Sequence, residues 1–331
     1  MGATAESSAD ADLDLRFHLL PAWQFGYNTH MRLLNVLPTS TPAPRKHPGW
    51  IKTRFAANER YHFLKRVLRE KGLHTVCEEA QCPNIGECWA HGTATFMLMG
   101  DTCTRGCTFC AVGKGKPLDL DVEEPEHVAE VISALGLDYA VLTSVNRDDL
   151  PNEGADHFAE TIEAITRRIS SCRVEALVPD FNARPELIER VAKTSLYVFA
   201  HNVETVPRLY RRVRPGSDYQ RSLDVLRIAK RSRSDLITKS SLMVGLGETR
   251  DEIVAVLEDL RAAQCDAVTL GQYLQPTSNQ QPVFRYVTPE EFDDLRQVGE
   301  SLGFRQVVSG PLVRSSYHAW EIVDHTGETP K

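Results

Sequence analysis

The chain has 331 residues, 42% of them apolar and 25% charged, and a formal net charge of −7. That length accommodates one large domain with appendages, or two domains, and the composition is that of a soluble globular protein. The acidic balance argues against a general polyanion-binding surface, so no nucleic-acid partner is expected.

The longest apolar runs, 96–99 and 139–142, are far short of the roughly 20 residues that span a bilayer, so no membrane association is expected either. The first fourteen residues carry Glu6, Asp10, Asp12 and Asp14 but no Lys or Arg. This fits neither a secretory signal nor a mitochondrial transit peptide, and the expected location is cytoplasmic, in a prokaryote. Residues 1–45 read as a disordered acidic and Pro-rich tail, with Pro38, Pro42 and Pro44 among Ser and Thr.

Helical spacing then runs from Asn58 to Lys71, with Tyr61, Leu64, Val67 and Leu68 on one side. Farther along, short apolar runs predict strands at 96–99, 139–143, 173–178, 196–200, 237–243 and 267–271. Amphipathic stretches between them predict helices at 127–135, 158–169, 185–192, 220–229 and 250–263. Strands alternating with helices imply βαβ units, an α/β fold and a parallel sheet, either a partial (β/α)6 barrel or a doubly wound open sheet. The expected organisation is a tail (1–45), an N-terminal extension (46–94), the barrel (95–305) and a C-terminal segment (306–331). Each strand runs out into a polar or glycine-bearing segment, and in a parallel barrel these segments meet on the C-terminal face, where active sites are built.

Six of the eight cysteines fall between Cys77 and Cys110. A secreted disulfide framework spreads its bridges along the domain, whereas clustered thiols in a reducing compartment hold metal. Cys103, Cys107 and Cys110 form a C-x3-C-x2-C loop directly after the first predicted strand. Three thiolates on one short loop can hold three irons of a four-iron cluster and leave the fourth iron open to a ligand. A structural zinc site wants four ligands, and no fourth stands at such spacing. Upstream, Cys77, Cys82 and Cys88 form a C-x4-C-x5-C triplet, again without an obvious fourth ligand. Cys172 and Cys265 read as buried small hydrophobes.

The first triplet resembles the signature of radical S-adenosylmethionine enzymes. The two triplets together resemble the lipoyl synthases, a likeness that runs through nearly all of residues 47–319. It includes His47-Pro-Gly-Trp-Ile-Lys52, Thr143-Ser-Val-Asn-Arg-Asp-Asp-Leu-Pro151, His201-Asn-Val-Glu-Thr-Val-Pro207, Val213-Arg-Pro-Gly216, Thr269-Leu-Gly-Gln-Tyr-Leu-Gln-Pro276 and Gly310-Pro-Leu-Val-Arg-Ser-Ser-Tyr-His-Ala319. Two positions depart from the usual pattern, Ala200 and Gln280, and neither is a proposed iron ligand.

The resemblance implies a partial barrel of the radical S-adenosylmethionine type with two four-iron, four-sulfur ([4Fe-4S]) clusters. The cluster at Cys103, Cys107 and Cys110 would chelate and reductively cleave S-adenosylmethionine. The auxiliary cluster, at Cys77, Cys82, Cys88 and a serine of the Arg-Ser-Ser-Tyr segment (Ser315 or Ser316, with Ser316 chosen), would donate the sulfur. The reaction implied is radical insertion of sulfur at C6 and C8 of an octanoyl group on a lysine of a carrier protein. Carriers would be lipoyl domains of 2-oxoacid dehydrogenases or the glycine cleavage H protein. A ferredoxin- or flavodoxin-type reductant and an iron–sulfur carrier for cluster rebuilding complete the implied partners.

Ser144, Asn146, Arg147, Asn202 and Glu204 are expected contacts to S-adenosylmethionine, and Gly245-Leu-Gly-Glu248 is a segment able to approach the adenine. Arg208, Arg211, Arg212 and Arg214 are either a rim for an acidic carrier or a solvated helix face. Two other readings stay open: sulfur insertion into a different substrate, as in biotin synthase, and a non-catalytic iron–sulfur electron carrier. Carriers usually ligate each cluster with four protein residues, which speaks against the second.

Overall fold

A computed structural model describes residues 47–52, 59–79, 82, 84–90, 93–317, 319 and 321; the expected tail at 1–45 lies outside these residues. Each predicted apolar run becomes a strand: β2 (Thr95–Leu98), β5 (Tyr139–Ser144), β6 (Arg173–Leu177), β7 (Val198–Ala200), β8 (Ile237–Val244) and β9 (Ala267–Gln272). Sequence reading missed two members of this sheet, β1 (His74–Thr75) and β10 (Gln306–Gly310). The strand order is β1-β2-β5-β6-β7-β8-β9-β10, with β1 antiparallel to β2 and every other pairing parallel. Among the described residues β10 does not pair back to β2, so the sheet is an incomplete barrel. A small two-stranded sheet, β3 (Thr102–Cys103) with β4 (Gly113–Lys114), brackets the first cysteine loop.

The crossover helices follow local rules. Helix α1 (Glu59–Glu70) precedes α2 (Val76–Glu79) and α3 (Ile85–Ala90), which carry cysteines of the second triplet. Helix α4 (Glu124–Leu135) opens with a proline in its first turn and closes on Gly136 at φ 59, a left-handed cap that costs glycine little. Next come α5 (Ala155–Arg168), α6 (Pro185–Ala192), α7 (Tyr210–Val213) and α8 (Tyr219–Ser232). Both α9 (Arg250–Ala262) and α10 (Pro289–Ser301) begin with capping boxes, Thr249 with Glu252 and Thr288 with Glu291.

Side chains alternate along the strands. Phe96, Leu98, Leu142, Val174, Ala176 and Phe199 pack outward against Ile132, Phe158, Ile162 and Ile188 of the helices. Val244, Val268 and Leu270 do the same against Ile253, Leu257, Leu260 and Phe292. The intervening positions Met97, Thr143, Leu177, Ser241, Met243 and Gly271 line a central cavity. One layer deeper, Lys239 Nζ donates to Glu175 Oε1 and Oε2 at 2.8 and 3.1 Å, and Tyr139 Oη donates to Glu175 Oε2 at 2.7 Å. This ion pair, fully buried, closes the barrel floor.

After β10 the chain crosses the open side of the barrel. It passes so close to β9 that a Cβ on Gly271 would stand 2.1 Å from the Val313 carbonyl oxygen. Asn84 Nδ2 donates to the Leu312 carbonyl at 2.7 Å, joining this segment to the second cysteine triplet.

Candidate active site

The loop bearing the first triplet leaves β2 through a sharp turn, Met99 at φ 66 and Gly100 at φ 87. A left-handed Met is strained, and the strain is held by neighbours. Met99 N donates to Glu124 Oε2 at 2.8 Å, and His157 Nε2 contacts the same oxygen at 2.5 Å. Beyond the turn, Thr104 N donates to the Asn146 carbonyl at 3.1 Å, Thr108 N to the Val213 carbonyl at 3.0 Å, and Gln281 N to the Thr108 carbonyl at 2.8 Å. Cys103 Sγ accepts from Asn146 N at 3.3 Å and Arg105 N at 3.4 Å. Three separate segments, at Asn146, Val213 and Gln281, therefore fix this one.

Arg105, between the first two cysteines, is gripped by two carboxylates. Its Nη1 and Nη2 donate to Asp180 at 2.7 and 2.8 Å, while Nε and Nη2 donate to Asp148 at 3.0 and 2.6 Å. Burial pushes the Asp180 carboxyl up, but the hydrogen bonds and charge of Arg105 outweigh it and hold the group at about 2. Asp180 is presented by three successive left-handed residues, Phe181, Asn182 and Ala183, at φ 44, 48 and 53. Such a run is rare for residues other than glycine.

The cavity measures about 320 Å³, and Cys103, Cys107 and Cys110 stand in its wall. Burial raises the thiol of Cys107, and raises that of Cys110 to about 11; Cys103 adds to both, and Cys107 to Cys110. Of the expected S-adenosylmethionine contacts, Ser144, Asn146, Asn202 and Glu204 all line the cavity. Asn202 Nδ2 donates to Glu204 Oε1 at 3.0 Å, and burial raises the Glu204 carboxyl. Arg147 does not line it: its Nε and Nη2 donate to Asp149, both at 2.9 Å. Gly245, in the segment expected near the adenine, is also constrained by packing. A Cβ there would meet Gln272 Nε2 at 2.2 Å and the Arg285 carbonyl at 2.5 Å, so the glycine makes room for the protein's own chain. Glu248 turns back to accept from Gly245 N and Leu246 N at 2.5 and 2.9 Å.

A second cavity lies beside the first. Cys77, Cys82 and Cys88 line it together with Thr95, Arg314, Ser316 and Tyr317. Burial first, then the charge of Cys82, pushes the Cys77 thiol up to about 11; burial, then Cys77 and Cys82, takes Cys88 to about 12. Ser316 faces this cavity, whereas Ser315 faces the first. Arg314 lines both, and nothing in the sequence reading singled it out. Neither did that reading single out His201, Arg105 or Tyr273, which line the first cavity.

Residues 97–260 match the radical SAM superfamily, and residues 33–82 match the N-terminal domain of lipoyl synthase of the radical SAM family. The chain is 52% identical over 287 residues to a lipoyl synthase of Chloroflexus aggregans, covering 87% of this chain and 94% of that one. It is 55% identical over 287 residues to a lipoyl synthase of Thioalkalivibrio sulfidiphilus, covering 86% and 89%. The chain belongs to the lipoyl synthase family. Among solved structures, the crystal structure of HydG, a maturase of the [FeFe]-hydrogenase, superposes with a TM-score of 0.51 at 14% identity, over 72% of this chain and 63% of that one. At that identity the likeness is one of fold.

Lipoyl synthases carry two iron–sulfur clusters and use S-adenosylmethionine, and the donor sets here suit them. All eight cysteines are free. Among the described residues no three His, Cys, Asp or Glu side chains converge on a single metal ion, as a mononuclear zinc site would require. Each triplet instead offers soft ligands in a shared cavity wall, where thiolates can bind separate irons of one cluster. Buried thiols held protonated by their surroundings give up the proton when a cation binds. Cys172 and Cys265 stay apart from both cavities, 4% and 0% exposed, as small core residues.

The four arginines at 208–214 do not form one rim. Arg208 pairs with Glu252 at 2.6 Å, and Arg212 Nη2 donates to the Leu246 carbonyl at 2.7 Å. Arg214 is buried in the cavity wall, donating to the Asn202 carbonyl at 2.8 Å.

Proposed function

We infer that the chain is a lipoyl synthase that inserts two sulfur atoms, at C6 and C8, into an octanoyl group carried on a lysine of a lipoyl-carrier protein. The observation that carries this reading is the adjacency of the two cysteine-lined cavities, which share the wall formed by Arg314, Ser315 and Ser316. A methylene of a fatty chain has no acidic proton and no leaving group, so side-chain acid–base chemistry cannot reach it. When bound, the first cluster supplies the electron that cleaves S-adenosylmethionine for hydrogen abstraction, and the auxiliary cluster is the sulfur source.

The chain's own residues position and exclude. Cys103, Cys107 and Cys110 hold the first cluster on a loop fixed by Arg105, Asn146 and Val213. Cys77, Cys82, Cys88 and Ser316 hold the second. Ser144, Asn146, Asn202 and Glu204 supply polar contacts to S-adenosylmethionine. Met97, Leu177 and Met243 give the acyl chain an apolar bed and keep water from the reacting carbon. We place the octanoyl carriers among the lipoyl domains of 2-oxoacid dehydrogenases and the glycine cleavage H protein. A ferredoxin- or flavodoxin-type protein is the proposed reductant, and an iron–sulfur carrier rebuilds the consumed cluster. A reducing cytoplasm suits six open thiols.

An anaerobic single-turnover assay tests the reading. Reconstituted protein, dithionite, S-adenosylmethionine and a peptide bearing octanoyl-lysine are mixed, and products are read by mass spectrometry. The expected result is a peptide carrying two added sulfurs, lost in Cys77→Ala and Cys103→Ala. Deoxyadenosine without sulfur on the peptide would redirect the assignment to another substrate.

A further inference from the structure

Arg314 is the side chain that faces both cavities. Its Nη1 donates to the Gln272 carbonyl at 3.2 Å and to its own neighbour, the Val313 carbonyl, at 2.7 Å. No carboxylate among the described residues pairs with it, although the structure is rich in ion pairs elsewhere. Two main-chain carbonyls orient a guanidinium without neutralising it, and a half-buried cation left without a counter-charge favours an anion beside it. The cavity that its guanidinium faces on one side is the one lined by Cys77, Cys82 and Cys88.

A four-iron core held by three thiolates and a serine alkoxide is net anionic, and the charge of such a centre dominates its surroundings. Among the described residues the second cavity otherwise offers it no cation: Cys77, Cys82, Cys88, Thr95, Ser316 and Tyr317 stand around it. We infer that Arg314 is the counter-ion of the auxiliary cluster, placed in the partition so that the sulfur source is held against the cavity where the acyl chain binds. This rests on the reading of the second cavity as a cluster site. Gly271 and the Gln272 carbonyl of β9 set the position of the guanidinium, so the charge comes from the C-terminal segment laid against the barrel rather than from the extension that carries the cysteines.

The test uses full-length protein with Cys103→Ala, so that only the auxiliary cluster is loaded. Iron and sulfide per chain, resistance of the iron to a chelator, and the midpoint potential from an electron paramagnetic resonance titration are read. Arg314→Met keeps the length and removes the charge; Arg314→Lys keeps the charge and loses the fork. The expected outcome for Arg314→Met is a potential shifted to more negative values and iron lost to chelator at least tenfold faster. Arg314→Lys should restore the potential most of the way. A parallel pair in the Cys77→Ala background should show the first cluster unchanged. Equal potential and chelation rate in Arg314→Met and the parent would overturn the inference. So would loss of both clusters together with a lowered melting temperature, which would mark Arg314 as a packing residue. If the Cys103→Ala parent itself takes up no iron, the reading of the second cavity fails, and the inference with it.

Discussion

Thr95 and Ser316 are separated by 221 positions, yet the Thr95 hydroxyl donates to Ser316 Oγ at 3.0 Å. Thr95 opens the first barrel strand, and Ser316 lies in the segment that closes the open side. Their contact brings the C-terminal serine to the cavity of Cys77, Cys82 and Cys88. As the proposed fourth ligand, a hard serine alkoxide would be a poor match to a site otherwise built of thiolates, and so the ligand most easily released. Ser316→Ala is expected to lower auxiliary iron, and Ser316→Cys to retain iron but slow sulfur insertion at least tenfold. Iron analysis and single-turnover product yield check this, and unchanged turnover in Ser316→Cys would sink the idea of a releasable ligand.

Gly271 bears on the same segment from the other side. A methyl group there would meet the Val313 carbonyl at 2.1 Å, and backbone cannot yield as a side chain can. Gly271→Ala should therefore displace residues 313–316 and lose auxiliary iron, while the first cluster is kept. Iron content in the Cys103→Ala and Cys77→Ala backgrounds separates the two sites.

The buried Glu175–Lys239 pair forms the barrel floor. Removing one partner leaves a charge in a site that cannot hydrate it, which costs roughly 3–5 kcal/mol. Lys239→Met is expected to lower the urea midpoint sharply. Adding Glu175→Leu should recover much of the loss, and a purely additive double variant would contradict this account.

His201 is buried at the exit of β7, with Nδ1 donating to the Val178 carbonyl at 2.9 Å. Burial, then the charge of Arg214, lowers its pKa from 6.5 to about 4. The folded state thus refuses a proton that the unfolded chain accepts. Its stability contribution is full above pH 6.5 and is lost as pH falls toward 4, by roughly 3 kcal/mol in all. His201→Gln should flatten this limb of the stability–pH curve, measured by denaturant titration between pH 7 and 4.5.

Much of the site was legible in advance because its chemistry is local. Three thiols on one loop after a strand are visible in Cys103, Cys107 and Cys110 whatever the rest of the chain does. The barrel strands were legible for a related reason: buried parallel strands are continuous apolar runs, as in Tyr139–Leu142. β10 was not, because Gln306-Val-Val-Ser-Gly310 carries only two apolar residues and takes its strand geometry from pairing with β9. Arg147 read as a ligand contact because it stands in a polar strand exit, but its guanidinium is claimed by Asp149 two residues away. The arginines at 208–214 left a rim and a helix face both open, and a cluster in sequence proved not to be one patch in space.

The sequence by itself determined the metal-ligand chemistry, the strand–helix alternation and, through motif order, the family. Spacing and composition carry these because each depends on neighbours along the chain. Tertiary structure alone decided that Ser316 rather than Ser315 faces the second triplet, that Asp148 and Asp180 grip Arg105, and that Arg314 stands between the cavities. Those relationships join residues far apart in the chain, and only the closing of the sheet, with the C-terminal segment laid across Gly271, brings them within reach of one another.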